Sequence, residues 1–390
     1  MEIMLVLEHH FCMDADGTVW CNRVVDYEYL KRYLQTFNKV YVCARMQKAR
    51  VADKSWKKAS GIGIEFIGLP DFTGIKGAVV NYRNIAKCIK NNINLVDGVI
   101  MRAPSVISML MYDVIKRTGI PMAIEFVMAA DKMIVNDNFV ASMINAILKN
   151  KARTICREVA GVSYVTEHVL QKDYPCSGFT ESYSSIDLHE DDFYKQNWNQ
   201  SSIPDEYKLV HTGYMDDDRK GQEILIRAVD ILIKKGYKIK LTLIGDGQNR
   251  VKLEKIVSAL NIGNYVFFAG AITNKKKIFS VLKNSHLFVL PTKSEGLPRS
   301  ILEAMAVGLP CVSSNVDGVP ELLDERYCLS NFNPNEYAKV IGSLLDNWDE
   351  MIRVGNRNYA KALEYRKSEL DCKRKYFYDE FSEYIIQKED

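Results

Sequence analysis

The stretch SHLFVLPTKSEGLPRSILEAMAVGLPCVSSNVDGVPELL, residues 285–323, decides the fold class of this chain. The apolar run His286 to Leu290 predicts a buried strand, which Pro291 stops. Pro298 to Val307 predicts a helix, because proline suits the first helical turn, and Pro310 to Ser313 predicts the next strand. A strand, a helix and a second strand in this order are typical of a parallel sheet covered by helices.

The same alternation extends back to residue 209. Short apolar runs that end at Gly or Pro predict the strands, and apolar residues at helical spacing predict the helices. We predict strands at Leu209–Gly213, Ile239–Ile244 and Tyr265–Phe268, and helices at Gly221–Lys235, Val251–Leu260 and Ile278–Lys283.

The first half of the chain alternates less regularly. Its longest predicted helix runs from about Asn138 to Arg157. The strand candidates are Glu2–Leu7, Val40–Cys43, Ile64–Ile67, Gly98–Met101, Pro121–Ile124 and Gly161–Tyr164. We therefore expect an α/β protein with two Rossmann-like, doubly wound domains that face each other across a cleft, with ligands at the carboxyl ends of the strands.

A length of 390 residues fits two domains of ordinary size. The polar stretch Ser184 to Tyr207 is the predicted linker, so we place an N-terminal domain at 1–200 and a C-terminal domain at 205–365. Residues 366–390 predict a closing helix, which we expect to pack back toward the N-terminal domain.

Charge is informative mainly through its distribution. The net charge of +3 is too small to indicate a nucleic-acid-binding protein. Residues 23–58, however, carry ten Lys and Arg against three acidic residues. This basic segment is either a solvated helical face or a surface for peripheral contact with anionic lipid headgroups or a phosphorylated acceptor.

The nine cysteines are scattered and form no C-x-x-C pair, which argues against a disulfide framework or a zinc site. Met1 to Leu7 is too short for a signal peptide, and Arg102, Pro104 and Asp113 interrupt the longest apolar stretch. We therefore expect a cytoplasmic protein, with peripheral contact at the inner face of the membrane as an open alternative.

The loop after the strand at residues 286–290 carries the chemistry. It presents Glu295 and Gly296 just before a helix, whose first N–H groups and dipole can bind a diphosphate. Glu303 follows within that helix. Two carboxylates at different depths near one ligand suit the hydroxyl groups of a sugar and a ribose. For Glu303, an exposed helix charge is the structural alternative.

The segments P-T-x-S-E-G-L-P, L-E-A-M-A-x-G-L-P and G-V-P-E-L, with Glu295 and Glu303 eight positions apart, resemble the E-x7-E signature of family 4 retaining glycosyltransferases. The resemblance covers most of residues 209–323 and implies the two-domain GT-B fold. It implies that Glu295 contacts donor-sugar hydroxyls beside the reacting carbon and that Glu303 holds the ribose diol. It also implies that Gly296, Leu297 and Pro298 meet the phosphate or the sugar.

A second element of the resemblance is GYMDDDRKGQEILIRA, residues 213–228. The family has Gly-Arg in a loop and Lys-Gly at the start of a helix, with both cations on the diphosphate. Gly213, Lys220 and Gly221 match, which implies a catalytic role for Lys220, but Tyr214 stands where the arginine is usual. Arg219 is the candidate for the second cation; a solvated lysine is the structural alternative for Lys220.

The resemblance further implies base recognition near Gly270, Ala271 and Ile272, with Gly245 at the neighbouring strand end. These positions are also ordinary strand-to-helix turns, which need glycine for conformational reasons.

The N-terminal domain matches the family poorly. A Gly-rich loop often follows the first strand, and here residues 8–17 stand in its place, with Gly17 as the donor-contacting candidate. Asp14 and Asp16 form a D-x-D that can bind a divalent metal in another glycosyltransferase fold. The acceptor-side candidates are His9, His10, Arg102, Glu125 and Glu167, and structural histidines are the alternative for the first two.

Taken together, the resemblance implies transfer of a hexose-type sugar from a nucleotide diphosphate donor, with UDP favoured, to a hydroxyl acceptor with retention. The acceptor is expected to be a saccharide or lipid-linked saccharide in cell-surface polysaccharide or glycolipid assembly, bound by the N-terminal domain. We expect no cofactor and no metal. The rival hypotheses are a sugar-nucleotide epimerase or phosphorylase on this fold and a non-catalytic sugar-nucleotide-binding protein.

Overall fold

The computed structural model describes residues 1–22, 24–48, 56–134 and 139–389. Two compact units are present. Unit 1 comprises Met1–Tyr183 and Asp371–Asp390, and unit 2 comprises Ser184–Leu370. The boundary thus lies earlier than the predicted residue 200, because residues 184–200 pack on unit 2. Tyr194 N–H donates to the carbonyl of Ala306 at 2.9 Å, and the indole of Trp198 lies 5.1 Å from that of Trp348.

Unit 1 contains one mainly parallel sheet with helices around it. Its strands are β1 Glu2–Met13, β2 Val19–Cys21, β3 Lys39–Lys48, β4 Lys57–Lys58, β5 Ile64–Leu69, β6 Gly98–Ala103, β7 Met122–Phe126, β8 Gly161–Tyr164 and β9 Phe179–Ser182. Its helices are α1 Tyr27–Leu30, α2 Gly74–Val80, α3 Tyr82–Asn92, α4 Val106–Lys116, α5 Phe139–Glu158 and α6 Val169–Asp173.

The parallel strands of unit 1 follow the order β5-β3-β1-β6-β7-β8-β9. The chain moves outward from β1 in one direction through β3 and β5, and in the other through β6 to β9. Strand β1 is longer than predicted. Its last residues pair in parallel with β3 and also in antiparallel with β2, because Phe11 and Cys12 are apolar and bury their side chains there.

Unit 2 contains a fully parallel sheet in the order β12-β11-β10-β13-β14-β15. Its strands are β10 Tyr207–Thr212, β11 Ile239–Ile244, β12 Val266–Gly270, β13 Leu287–Leu290, β14 Cys311–Ser314 and β15 Cys328–Leu329. Its helices are α7 Gln222–Lys234, α8 Arg250–Ala259, α9 Lys275–Lys283, α10 Arg299–Ala306, α11 Val319–Leu322, α12 Pro334–Leu345 and α13 Trp348–Ala362. The direction of winding reverses between β10 and β13, so two loops that follow neighbouring strands diverge there.

Apolar side chains on both faces of the central strands form the core of unit 2. Leu209 in β10, Leu241 in β11 and Val289 in β13 are fully buried. Helix α7 covers them with Leu225 and Val229, which stand one helical turn apart. The predicted α/β class with doubly wound parallel sheets is confirmed.

The last helix, α14 Lys367–Glu389, packs its aromatic face within unit 1 from Asp371 onward. Tyr378 donates its hydroxyl to Oε1 of Glu125 at 2.9 Å, and Tyr33 donates to Oε2 at 2.9 Å. Tyr183 donates to Oε1 at 3.3 Å. Burial raises the pKa of the Tyr378 hydroxyl well above its usual value, so the group stays protonated and remains a donor. One carboxylate of β7 thereby holds the closing helix.

We predict that Tyr378→Phe lowers the free energy of unfolding by about 1–3 kcal/mol, because a buried carboxylate oxygen loses a hydrogen-bond donor. Denaturant unfolding followed by circular dichroism measures this change. Tyr384→Phe, on the exposed side of α14, is the matched control and should be nearly silent. Equal stability of the two variants would contradict the structural role of the Glu125 cluster.

Candidate active site

The site of interest lies at the carboxyl ends of β10, β11 and β13 in unit 2, where glycine allows three backbone segments to touch. Gly213 N–H donates to the carbonyl of Ile244 at 2.9 Å, and Gly245 N–H donates to that of Gly270 at 2.9 Å. At Gly245 the φ angle is 141°, and a Cβ atom would lie 2.0 Å from the carbonyl oxygen of Gly213. Only glycine fits this position, so the predicted Gly213, Gly245 and Gly270 form one continuous ledge of backbone.

The loop after β10 is fixed to the loop after β13. A Cβ atom on Gly221 would lie 2.0 Å from the carbonyl oxygen of Pro291, and the φ angle of Gly221 is 71°. The carbonyl of Arg219 accepts hydrogen bonds from Lys293 N–H at 2.7 Å and from the Thr292 hydroxyl at 3.1 Å. These contacts therefore fix the position of the loop before α7 relative to the loop before α10.

This arrangement brings the two predicted catalytic residues together. Lys220 Nζ lies 2.5 Å from Oε1 of Glu295, and their side chains are 26% and 11% exposed. The aliphatic stem of Lys220 packs over Gly213, where a Cβ atom would lie 3.0 Å from Lys220 Cγ. The pair is partly shielded but still reachable by a ligand.

Asp317, a residue that sequence reasoning missed, fixes the position of Glu295. Its Oδ2 accepts a hydrogen bond from Glu295 N–H at 2.8 Å, and the neighbouring Gly318 N–H donates to the carbonyl of Gly296 at 3.0 Å. Asp317 itself adopts a positive φ angle of 47°. The signal in the sequence was the turn-forming run from Asn315 to Gly318 directly after β14.

His211, also missed, lies under the ledge. It is fully buried in β10, and its Nδ1 is 2.9 Å from the carbonyl oxygen of Val289. Burial, with a smaller effect of the Lys220 charge, lowers the pKa of His211 to about 4. The ring is thus neutral, Nδ1 donates its proton to the carbonyl, and Nε2 has no partner among the described residues. A neutral ring avoids a second buried positive charge close to Lys220.

Glu303 lies inside α10, behind the loop that carries Glu295. Burial raises the pKa of its carboxyl group, while Arg299 and Lys275 act in the opposite direction. Among the hydrogen bonds and ion pairs of the described residues, none engages its carboxylate. The helix begins after Pro298, and no side chain caps its first N–H groups. Leu297 and Pro298 are buried and set the direction in which α10 begins.

The second predicted cation, Arg219, is paired with an aspartate of its own loop. Arg219 Nε lies 2.8 Å from Oδ2 of Asp217, and both side chains are more than one-third exposed. Tyr214, which stands at the family's arginine position, is exposed. Of the two predicted phosphate ligands, the structure pairs only Lys220 with Glu295.

The predicted base-binding positions follow β12. Gly270 has a φ angle of 70° and is succeeded by the exposed Ala271 and the half-buried Ile272. Arg250, which sequence reasoning did not select, lies beside them. Its Nη1 is 3.0 Å from Oδ2 of Asp246, and its guanidinium is 5.8 Å from the centre of the Phe268 ring. A planar cation and an aromatic ring therefore border this turn.

In unit 1 the predicted loop at residues 8–17 is mostly strand. Gly17 lies at the tip of the β1–β2 hairpin, with a φ angle of 79°, just beyond Met13, the last residue of β1 that pairs in parallel with β3. The segment expected to be a loop is thus strand and a hairpin turn, because β1 continues past Leu7 to Met13. The carboxylate of Asp14 accepts hydrogen bonds from Thr18 N–H at 2.9 Å and from the Trp20 indole at 2.7 Å, so it stabilises the turn. Among the described residues, no group of three metal-ligating side chains forms.

The acceptor-side candidates separate into distinct places. His9 and His10 line a cavity of about 390 Å³ with Glu8, Arg45, Gln47 and Trp56, and His10 Nδ1 lies 2.7 Å from Oδ1 of Asp71. Glu167 is half-buried near Lys373, with 3.9 Å between the charged groups. Arg102 contacts the hydroxyl of Tyr29. Glu125 is only 6% exposed, and three tyrosine hydroxyls occupy its oxygens, so the expectation that it faces a ligand is corrected.

The basic segment 23–58 is broken up by ion pairs where the structure describes it. Lys39 pairs with Glu65 at 2.5 Å, and the buried Arg45 pairs with Glu8 at 3.0 Å. Lys57 pairs with Asp26 at 3.3 Å. Arg23, Arg50 and Lys54 lie outside the described residues. Within the described ranges no helix has the length and apolarity needed to cross a bilayer.

With this geometry established, comparison with known proteins finds a family match in the second half of the chain. Residues 195–361 match the family model Glycosyl transferases group 1. Protein CapJ of Staphylococcus aureus is 24% identical over 340 residues, which cover 87% of this chain and 84% of CapJ. The uncharacterized glycosyltransferase MJ1059 of Methanocaldococcus jannaschii is 29% identical over 177 residues, 45% of this chain and 43% of that protein.

Two solved structures resemble the fold over nearly the whole chain. Sucrose-phosphate synthase from Thermosynechococcus elongatus superposes with a TM-score of 0.72 at 14% identity and covers 97% of this chain and 98% of its own. HepE of Anabaena in complex with UDP-glucose gives a TM-score of 0.65 at 15% identity over 99% and 100%. The expectation of a glycosyltransferase region on a GT-B fold is thus confirmed at the level of family model and fold.

We predict that Glu303→Gln stabilises the protein at neutral pH. Because burial raises the pKa of Glu303, the folded state holds its proton more tightly than the unfolded state does. The wild-type carboxyl group therefore costs stability once the pH rises through its raised pKa, and this cost is absent below its ordinary pKa. Calorimetry should show a Tm roughly 2 °C or more higher for the variant at pH 7, and a gain that disappears in acid.

The exposed Glu325 provides the matched control, since Glu325→Gln removes a carboxylate that is already in water. If Glu303→Gln is no more stable than Glu325→Gln at pH 7, the carboxylate of Glu303 carries no burial cost.

Proposed function

We propose that this protein transfers a hexose-type sugar from a nucleotide diphosphate donor, UDP being the favoured nucleotide, to a hydroxyl group of a saccharide or lipid-linked saccharide. The observation that carries the proposal is the Lys220–Glu295 ion pair, 2.5 Å long, at the switch point of the unit 2 sheet. A cation for a leaving diphosphate and a carboxylate for sugar hydroxyls stand there side by side.

The surroundings of Lys220 suit a diphosphate. Lys220 directly precedes Gly221, the N-cap of α7, and the uncapped N–H groups of α10 follow the neighbouring strand. Both helices of the site thus present the positive end of their dipoles at the same sheet edge. Negative charge grows on the diphosphate as the glycosidic bond breaks, so a fixed cation and fixed N–H groups stabilise the transition state more than the ground state.

Glu303 is the proposed ligand of the ribose diol. A half-buried carboxylate without a hydrogen-bond partner among the described residues costs stability, and two hydroxyl donors would satisfy it. Its position inside α10, eight residues after Glu295, is in keeping with a nucleotide that extends away from the sugar. Arg250 and the turn at Gly270 are the proposed border of the base.

Glu295 is proposed to orient the donor sugar and not to attack it. Its carboxylate is paired with Lys220, and Asp317 holds its backbone N–H. A nucleophile would need freedom to approach the anomeric carbon from the side opposite the leaving group. We propose retention by front-face attack, in which the departing phosphate takes the acceptor proton. This mechanism needs no metal and no other cofactor.

UDP as the nucleotide is supported by the resemblance to HepE, which was solved with UDP-glucose. Acceptor recognition is proposed for unit 1, where the cavity lined by His9 and His10 offers polar and aromatic side chains for a saccharide. Polysaccharide or glycolipid assembly in the cytoplasm is the proposed setting. Because ion pairs occupy Lys39, Arg45 and Lys57, the basic segment does not carry this proposal.

The test is a screen of nucleotide-sugar donors by thermal shift, followed by product analysis with the best donor and a panel of saccharide acceptors. We expect a transferred sugar with the anomeric configuration of the donor, in the presence or absence of EDTA. Glu295→Gln should reduce kcat by at least about tenfold and leave the nucleotide diphosphate affinity unchanged, because this side chain faces the sugar.

Several outcomes would overturn the proposal. Donor isomerisation or phosphorolysis without a transfer product favours an epimerase or phosphorylase, and donor binding without turnover favours a binding protein. A product of inverted configuration excludes retention, and near-wild-type kcat in Glu295→Gln excludes the assigned role of that residue.

We predict that Lys220→Ala lowers kcat/KM by roughly 2–4 kcal/mol of transition-state stabilisation, whereas Arg219→Ala is almost silent. The physical reason is that Lys220 points to Glu295, while Asp217 holds the guanidinium of Arg219. Steady-state kinetics with the best donor measures both, and Arg219→Ala serves as the matched control. A comparable loss in the two variants would mean that Arg219 leaves Asp217 to bind the diphosphate.

A further inference from the structure

Helices α2 and α3 of unit 1 expose an unusual combination of side chains. Residues 72–96 contain no Asp or Glu, yet they carry Lys76, Arg83, Lys87 and Lys90. All four cations are exposed, and none of them forms an ion pair among the described residues. This group, here called the cationic set, contrasts with the ion-paired basic segment before it.

Apolar side chains stand beside these charges. Val80 is 82% exposed and Val79 is 58% exposed, at the end of α2, and Ile75 and Tyr82 are also exposed. The opposite face of the same helices is buried in the core of unit 1 through Ala78, Ile85 and Ile89. The exposed residues therefore make no contribution to that core, and together they form an apolar patch of the kind that marks an interaction surface.

We infer that this surface docks on a bilayer that contains anionic lipids. Apolar residues that reach the acyl boundary, with cations and no acidic residues around them, are the composition of an interfacial membrane contact. Each cation near an anionic surface adds an attraction that strengthens binding. An aromatic residue with a polar tip, such as Tyr82, suits the headgroup level. A water-soluble protein partner would not require a segment without acidic residues.

A second apolar series on the same side of the sheet supports this orientation. Helices α2 and α5 both pack against α4. The first three turns of α5 expose Phe139, Val140, Met143 and Ile147, and Phe139 is 84% exposed. Lysines farther along α5 pair with acidic residues, as Lys149 does with Asp131 at 2.9 Å. The apolar residues of α5 thus extend the contact, while the cationic set on α2 and α3 supplies the attraction.

The experiment is co-sedimentation of the full chain with vesicles of phosphatidylcholine alone and of phosphatidylcholine mixed with phosphatidylglycerol. We expect binding to the mixed vesicles, little binding to the neutral ones, and weakening by salt. A variant with Lys76, Arg83, Lys87 and Lys90 all changed to Gln should lose at least about tenfold in partition coefficient. Val79→Ser with Val80→Ser should also weaken binding, with less dependence on salt.

A matched control removes the same charge from unit 2, by changing the exposed Lys235, Lys238, Lys255 and Lys339 to Gln. This control should bind the mixed vesicles nearly as the wild type does, and a circular dichroism melt checks that every variant is folded.

The inference is overturned if the wild type does not bind, if it binds neutral vesicles equally well, or if the control loses as much as the α2–α3 variant. Concentration-dependent self-association that the valine changes abolish, without vesicle binding, would assign the surface to a second copy of the chain instead. The readout does not depend on sugar transfer, so it stands apart from the proposed function.

Discussion

The contact on which the site depends is the close approach of backbone at the switch point of the unit 2 sheet. Gly245 touches the carbonyl of Gly213, and Gly221 touches the carbonyl of Pro291, at separations that admit no side chain. Because β10 and β13 are hydrogen-bonded neighbours, these contacts fix the starting points of α7 and α10 relative to each other. The distance between Lys220 and Glu295 is a consequence of this packing. A substitution at any of these glycines would therefore change the electrostatics of the site through the backbone, without removing a charged group.

The charges at this edge are balanced before a ligand arrives. Lys220 and Glu295 neutralise each other, and His211 below them stays neutral because burial keeps its pKa at about 4. An incoming diphosphate brings negative charge that the ion pair cannot fully match, so the N–H groups at the helix starts take part of it. A protonated His211 would add a second cation, but burial in β10 disfavours the charged ring. The site thus relies on fixed dipoles and one lysine in place of a cluster of cations.

Much of unit 2 could be predicted because its strands end at Gly or Pro and its helices show a clear apolar period. β11 was predicted at its observed bounds, and the neighbouring strands were predicted to within two residues.

The structure of unit 1 was harder to predict from the sequence, for two reasons. β1 continues past Leu7 because β3, a segment distant in the sequence, pairs with it in parallel as far as Met13, and such pairing has no local signal. Glu125 was correctly placed near the end of a strand, but its partner Tyr378 is 253 residues away, so no local pattern indicates that the carboxylate points inward. Asp317 was missed because its role is a hydrogen bond to a backbone N–H of another loop.

Glu125 and Glu303 show how hydrogen-bond satisfaction separates a structural carboxylate from a functional one. Glu125 is buried and Glu303 is half-buried, each within its own unit. Three tyrosine hydroxyls donate to the carboxylate of Glu125, so the cost of its burial is offset within the folded chain. Both oxygens already have donors without a ligand. No hydrogen bond of the described residues engages Glu303, and burial raises the pKa of its carboxyl group. A chain retains such a cost when a bound partner offsets it, and a diol offers two donors at the spacing of one carboxylate. The same reasoning explains why position in the sequence alone could not distinguish the two residues: each follows or lies within an element at the edge of a parallel sheet, and only the partners differ.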